Sequence, residues 1–456
     1  MALIRTVSGV RGVVGQDLTA GIIHAHAEAF AALLPSGPLL LARDSRSHGP
    51  MLMSAAAQAL RKAGRRLLLA DLIPTPTAQF LVTDRRLAGA LVLTASHNPS
   101  EYNGLKFIGP DGCFLDGERV AALFELADQA EIPAELPERP IRGEVMPDAA
   151  GRHILDILNL GCIDVEAIVR RRFRVVVDAV NGAASVALPA LLEALGCEVI
   201  RLHTTPNGEF PRGPEPVPEN LGALAAAVTA GGAQLGLATD PDADRLALVD
   251  ETGRPIGEEL TQVLAVDGYL RRTASRQPVT TNLSSSQLLE HVAGRYGVEV
   301  LRSAVGEVNV VAMMRAAGGE IGGEGNGGVI LAASHLGRDA LVGAALILDR
   351  LVQEEQSLST IVDGLPRLHL LKDKLAIDGH EIDQLYSLIT QQYPDAEHNT
   401  VDGLKVQWED RWVHIRASNT EPVIRIYAEA ATAEEAHGLI AGVRAVVAKG
   451  VAGAGA

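Results

Sequence analysis

Short apolar runs alternate with Ala- and Leu-rich stretches along most of the chain, and polar turns separate them. Pro38–Ala42 reads as a strand, followed by the loop Arg43-Asp44-Ser45-Arg46. Met51 to Ala63 carries apolar residues at helical spacing and stops at Gly64, which predicts a helix with a glycine end. Arg66–Ala70 predicts a second strand before the turn Pro74-Thr75-Pro76-Thr77. Gly89–Leu93 predicts a third, ending at Thr94-Ala95-Ser96-His97-Asn98-Pro99. The order then restarts. Arg174–Asp178, Glu198–Leu202 and Gln234–Ala238 read as strands, the last running into Thr239-Asp240-Pro241-Asp242-Ala243-Asp244. It restarts once more with Pro278–Asn282, Val298–Arg302 and a run ending at Ile321. Strands alternating with helices predict βαβ units and mostly parallel sheets. The last ninety residues differ: Gly403–Glu409, Trp412–Arg416 and Val423–Ala430 read as strands in succession, with helices before and after. The expected fold is therefore three similar α/β domains plus a C-terminal α+β domain with an antiparallel sheet, divided at 1–150, 151–252, 253–366 and 367–456. Glu131–Pro147 reads as a Pro- and Glu-rich connection, and Pro206–Pro218 as a long exposed loop.

Composition changes this picture in only a few places. Aromatic residues are 3% of the 456, so the cores must be built from Ala, Val, Leu and Ile. The net charge of −16 gives no basic face for nucleic acid. An anionic substrate would have to meet a local cluster of Arg, Lys and backbone N–H groups. Cys113, Cys162 and Cys197 form no CxxC pair and are odd in number, which argues against a disulfide framework or a cysteine zinc site and predicts buried free thiols. The N-terminus, MALIRTVSGVRG, has no apolar leader segment, and no run of about 18 apolar residues occurs, so the expectation is a cytoplasmic protein without a membrane span.

Four loops carry chemistry. TASHNPSEYNGLKF, Thr94 to Phe107, follows an apolar strand and so lies at a strand's carboxyl end, where α/β sheets bind ligands. Its Ser96-His97 pair offers a hydroxyl nucleophile beside a base, and Lys106 adds a cation. A plain Ser turn fixed by Pro99 is the structural alternative. Asp240-Pro-Asp242-Ala-Asp244-Arg245 places three carboxylates at alternate positions, a donor set for Mg²⁺. An EF-hand would also take Glu251 at its twelfth position, but Arg245 stands where its sixth-position glycine belongs. Gly322-Gly-Glu324-Gly-Asn326-Gly-Gly328 lacks P-loop spacing; its carboxylate and amide suit sugar hydroxyls, with a structural hairpin as the alternative. Arg416-Ala-Ser418-Asn419-Thr420-Glu421-Pro422, with Arg425 beyond, offers hydroxyls, an amide and arginines for a phosphate. Ser8-Gly9-Val10-Arg11-Gly12 presents one more arginine.

Together these loops, in this order and across nearly the whole chain, resemble the α-D-phosphohexomutase family of phosphoglucomutases, phosphomannomutases and phosphoglucosamine mutases. The resemblance implies four domains around one central cleft and interconversion of hexose 6-phosphate and hexose 1-phosphate through a phosphoserine and a bisphosphorylated intermediate. It implies that Ser96 carries the phosphoryl group and that Mg²⁺ is held by Asp240, Asp242, Asp244 and a phosphate oxygen on Ser96. Arg11, His97, Lys106 and Arg245 would surround the transferred group. Glu324 and Asn326 would bind sugar hydroxyls, and Arg416, Ser418, Asn419 and Thr420, with Arg425, would grip the non-reacting phosphate. Hexose 1,6-bisphosphate is the implied activator, and a monomer or homodimer the expected assembly. His97 and Lys106 are the candidates for proton transfer, Lys106 only if neighbouring cations lower its pKa.

There are two departures. Many members have His where this chain has Gly328, and many phosphomannomutases have His at the place of Glu307. Gly306-Glu307-Val308-Asn309 with GEGNGG is closest to the phosphoglucosamine mutase branch, and a carboxylate at Glu307 could pair with a 2-ammonium group, which makes glucosamine phosphate the expected substrate and glucose or mannose phosphates the alternative. A Ser-His hydrolase would need a G-x-S-x-G elbow, which does not surround Ser96. A non-catalytic binding relative would not need the metal loop.

Overall fold

A computed structural model describes residues 3–453 except 134–135, 137–138, 377–381 and 418–422. The first block carries a seven-stranded sheet in the order Ile4–Thr6, Gly9–Val13, Tyr102–Ile108, Gly89–Leu93, Leu39–Arg43, Leu67–Leu72, Glu144–Val145. Successive side chains of a strand point to opposite faces, and here both faces are covered. Leu39, Leu41, Leu91 and Leu93 pack with Phe30 and Leu52 of the helices Ala20–Leu33 and Gly49–Lys62. Leu40, Ala90 and Val92 pack with Ala78 and Leu81 of the helix Thr75–Asp84. That is why these strands read as continuous apolar runs.

The second block orders its strands Leu246–Asp250, Leu235–Thr239, Arg174–Asp178, Glu198–Leu202, and the third Val300–Ser303, Val279–Asn282, Ile321–Glu324, Gly328–Leu331. These two blocks share one apolar core. The C-terminal block is a five-stranded antiparallel sheet, ordered His369–Ala376, Val423–Ala430, Trp412–Ala417, Leu404–Gln407, Glu397–Asn399, with the helices Ile382–Gln392 and Ala433–Gly453 against one face. The expected fold class holds, with one difference. In each of the first three blocks a strand returns antiparallel: Tyr102–Ile108 beside Gly89–Leu93, Leu246–Asp250 beside Leu235–Thr239, and Gly328–Leu331 beside Ile321–Glu324. The sheets are mixed, and each of the first three chemistry-bearing loops is a strand-to-strand turn in the same topological place. The segment 206–218 is not simply exposed: Arg212 is buried and bonds Asp178 and the Thr239 carbonyl. The three cysteines are free and buried, and burial pushes Cys113 and Cys197 up to about 12 and Cys162 to about 11.

Candidate active site

The first loop is shaped by a buried ion pair. Arg46, fully buried, bonds Asp44 Oδ2 through Nε at 3.0 Å. Its Nη2 donates to the Ser96 and Asn98 carbonyls at 2.7 Å each, and its Nη1 to the Pro99 and Tyr102 carbonyls. Asp44 Oδ2 also accepts from Thr94 Oγ1, which in turn accepts from the Ser96 amide. This framework holds Ser96 at φ +49°, a left-handed conformation that costs a non-glycine residue about 1–2 kcal/mol. The Ser96 hydroxyl is thereby turned toward Asp240 Oδ2 at 3.2 Å and His97 Nδ1 at 3.3 Å.

The second loop meets it. Asp240, Asp242 and Asp244 are fully buried, and one oxygen of each lies within 4.8 Å of the others. Asp240 Oδ1 accepts from the amides of Asp244 and Arg245, which closes the turn. Thr75 Oγ1 and Lys106 Nζ donate to Asp242 Oδ2, both at 2.7 Å. Asp242 Oδ1 and Asp244 Oδ1 are buried without a hydrogen-bond partner. Orphaned carboxylate oxygens converging at hard-cation spacing fit a divalent ion such as Mg²⁺.

Lys106 lies on the returning strand Tyr102–Ile108 and reaches Asp244 Oδ2 as well, at 3.0 Å. Burial disfavours its charge, but Asp242 and Asp244 outweigh burial and raise its pKa. The condition for a basic Lys106 is thus not met in this state. His97 is the reverse case: Arg245, burial and Arg11 hold it well below the ordinary imidazole range. It is neutral at pH 7 and placed to accept a proton from the Ser96 hydroxyl. Arg11 donates to Asn98 Oδ1 at 3.2 Å, and Arg245 pairs with Glu215 at 2.9 Å.

The residue that sequence reasoning missed is Arg338. Its guanidinium bonds Glu307 Oε2 at 3.0 Å, Glu324 Oε2 at 2.8 Å and Asp244 Oδ2 at 2.8 Å. It occupies the space that Gly328 leaves, since a Cβ at 328 would lie 2.2 Å from Arg338 Cδ. The absence of a side chain at 328 was the available signal. Glu307 also accepts from Gln79 at 3.1 Å. Each of its oxygens thus already has one partner within the protein, and an ammonium group on the sugar would have to share the remaining acceptor sites. Glu324 accepts from Asn282, the Gly306 amide and Arg338, and distantly from Asn326 at 3.4 Å. Of the expected sugar binders, Asn326 is the less engaged.

Arg416 and Arg425 face each other across neighbouring strands, and Lys374 continues the row on the third. Directly opposed like charges disfavour a sheet unless an anion lies between them. Arg416 is paired with Asp402 at 3.2 Å, and Arg425 is exposed. Ser418, Asn419 and Thr420 lie outside the described residues.

A hydroxyl beside a buried carboxylate triad, ringed by Lys106, Arg11, Arg245 and Arg338, is the equipment of a phosphoryl-transfer enzyme. Comparison with known proteins gives the same class. The descriptions of phosphoglucomutase/phosphomannomutase alpha/beta/alpha domains I, II and III match residues 3–132, 152–253 and 257–368, and that of the C-terminal domain matches 380–446. A phosphoglucomutase/phosphomannomutase of Thermococcus kodakarensis is 38% identical over 94% of each chain. A probable phosphoglucosamine mutase of Methanopyrus kandleri is 34% identical over 95% of each. A solved phosphoglucomutase/phosphomannomutase family protein from Burkholderia thailandensis superposes with a TM-score of 0.83 at 28% identity, over 97% of this chain and 98% of that one. The chain belongs to the phosphoglucomutase/phosphomannomutase family of phosphosugar mutases.

Proposed function

We propose that the enzyme interconverts hexose 6-phosphate and hexose 1-phosphate by way of a phosphoryl group on Ser96. The observation that carries this reading is the convergence of Ser96 Oγ on Asp240 at 3.2 Å inside a ring of buried cations. Phosphoryl transfer asks chiefly for positioning and charge neutralisation. Arg46 and the left-handed backbone fix the hydroxyl, and His97 takes or returns its proton. Lys106, Arg245 and Arg338 hold the aspartates in place and neutralise the moving group. Asp240, Asp242 and Asp244 would hold Mg²⁺, which when bound supplies further neutralisation of the phosphoryl oxygens. Arg416, Arg425 and the loop 418–420 retain the other phosphate while a bisphosphorylated sugar reorients, and hexose 1,6-bisphosphate primes Ser96.

We take glucose and mannose phosphates as the substrates, supported by the 38% identical relative named phosphoglucomutase/phosphomannomutase and by the engagement of the Glu307 carboxylate with Arg338 and Gln79. Glucosamine phosphate is the second reading, supported by relatives that carry the name phosphoglucosamine mutase. A coupled assay with Mg²⁺ and a trace of hexose 1,6-bisphosphate, run in parallel on the three sugar phosphates, tests both. Turnover of glucose and mannose phosphates that vanishes in Ser96→Ala is expected. Turnover confined to glucosamine phosphate would overturn the substrate assignment, and activity surviving in Ser96→Ala would overturn the phosphoserine.

A further inference from the structure

A second cluster lies apart from the phosphoryl site. His153 is on the helix Ala149–Leu158, and His335 and Asp339 flank the turn that leads into the helix Ala340–Glu354. Their exposures are 0%, 5% and 1%. His153 Nε2 and His335 Nε2 each lie 3.0 Å from the same oxygen, Asp339 Oδ2. The other oxygen, Oδ1, accepts from the Leu341 and Val342 amides and caps the helix. One carboxylate oxygen thus holds the helix end while the other faces two imidazoles.

The approach of His153 is not that of a directed hydrogen bond: its Nε2 is a buried nitrogen without a hydrogen-bond partner. Its Nδ1 lies 3.0 Å from Thr77 Oγ1, and Phe80 stacks on the ring at 4.9 Å. This bond can run either way; with Nδ1–H donating to the hydroxyl, the Nε2 lone pair faces the cluster, as a metal ligand requires. Such an outer partner is characteristic of metal-ligating histidines; His335 has none, its Nδ1 being buried without a hydrogen-bond partner.

We propose that His153, His335 and Asp339 bind a structural first-row transition cation of the Zn²⁺ class. Two imidazoles and one monodentate carboxylate suit such an ion, whereas the all-oxygen aspartate loop suits a hard one. The three donor atoms lie within 4.8 Å of one another. A tetrahedron with bonds of about 2.0–2.1 Å has edges of roughly 3.3 Å, so the two N–O separations are already near an edge length. The two nitrogens lie within 4.8 Å of each other, and a water completes the shell. His153 opens the second block and His335 and Asp339 belong to the third, so the ion ties those two blocks, with Thr77 of the first block behind His153. It also anchors the residue next to Arg338, whose guanidinium reaches Asp244.

The site is buried, so the ion enters during folding. The test uses full-length protein produced in zinc-supplemented medium and dialysed against excess Mg²⁺, which occupies the aspartate loop. About one equivalent of retained zinc is expected, with an X-ray absorption shell of two imidazoles and oxygen. His335→Gln should lose the zinc and melt at a lower temperature, with no further loss on chelation. An all-oxygen shell, no retained zinc, or equal retention in a folded His335→Gln would overturn the proposal. The wild-type absorption shell decides the matter even if the variant fails to fold. None of these readouts depends on mutase activity.

Discussion

Arg338 pairs with Asp244, Glu307 and Glu324 at once, while Lys106 also serves Asp244. Arg338→Met leaves those buried carboxylates without that partner, and breaking a buried pair in this way costs about 3–5 kcal/mol. A clear fall in melting temperature is therefore expected by calorimetry. Arg338→Lys keeps the charge but loses the planar fork. It should fold, and kcat/KM should drop by roughly 10²–10³, the usual cost of losing one preorganised donor. Glu307→Gln separates two roles. If the carboxylate serves Arg338, kcat/KM falls by the same factor on glucose 6-phosphate and glucosamine 6-phosphate; a loss confined to the amino sugar would restore the ammonium contact. Ser96 and the aspartate triad were legible in the chain because their spacing within one loop is itself the chemistry. Arg338 was not, because it stands ten residues past Gly328 and returns to it only through the turn after the strand Gly328–Leu331. Arg46 stood only as part of the loop after Pro38–Ala42 for the same reason: its partners are the carbonyls of residues about fifty positions away.

The elements repeat one device three times, a parallel strand, a loop with chemistry and an antiparallel return. Parallel strands such as Leu39–Arg43, Gly89–Leu93 and Arg174–Asp178 were readable because they are buried and their sequences are largely apolar. The returns were not, because Tyr102–Ile108 and Gly328–Leu331 carry glycine, lysine or asparagine where the site needs them. Gly104 shows what the first return requires. A Cβ there would lie 2.1 Å from the Val10 carbonyl oxygen, so only glycine lets Gly9–Val13 pair with Tyr102–Ile108 in register. Those two strands carry Arg11 and Lys106. Gly104→Ala must push them apart, at a cost near the upper end of the 1–3 kcal/mol typical of overpacking. A lower urea midpoint is expected, together with lost activity in the fraction that remains folded.

At the scale of the whole molecule, the C-terminal block docks on the third block through polar contacts. His414 Nδ1 meets Ser284 Oγ at 2.9 Å and its Nε2 meets the Asp402 carbonyl. Asp402 Oδ2 accepts from the Val305 amide, and Glu429 from the Gln287 amide. Burial lowers His414 from 6.5 to about 4. Its folded form therefore resists a proton that its undocked form accepts. Above pH 6.5 both forms are neutral and the group contributes nothing. As pH falls from 6.5 toward 4 the undocked form is increasingly favoured, and the penalty levels off below pH 4 at about 3 kcal/mol. The row Lys374–Arg425–Arg416 lies on the sheet face that carries His414, so loosening this contact displaces the phosphate-gripping cations before any core is exposed. KM for the sugar phosphate should therefore rise between pH 6.5 and 5 in the wild type. In His414→Gln, whose amide can still bond Ser284 but cannot titrate, that rise should be flattened. Parallel KM profiles for the two proteins would assign the acid sensitivity to other groups and leave the docking contact without a role in it.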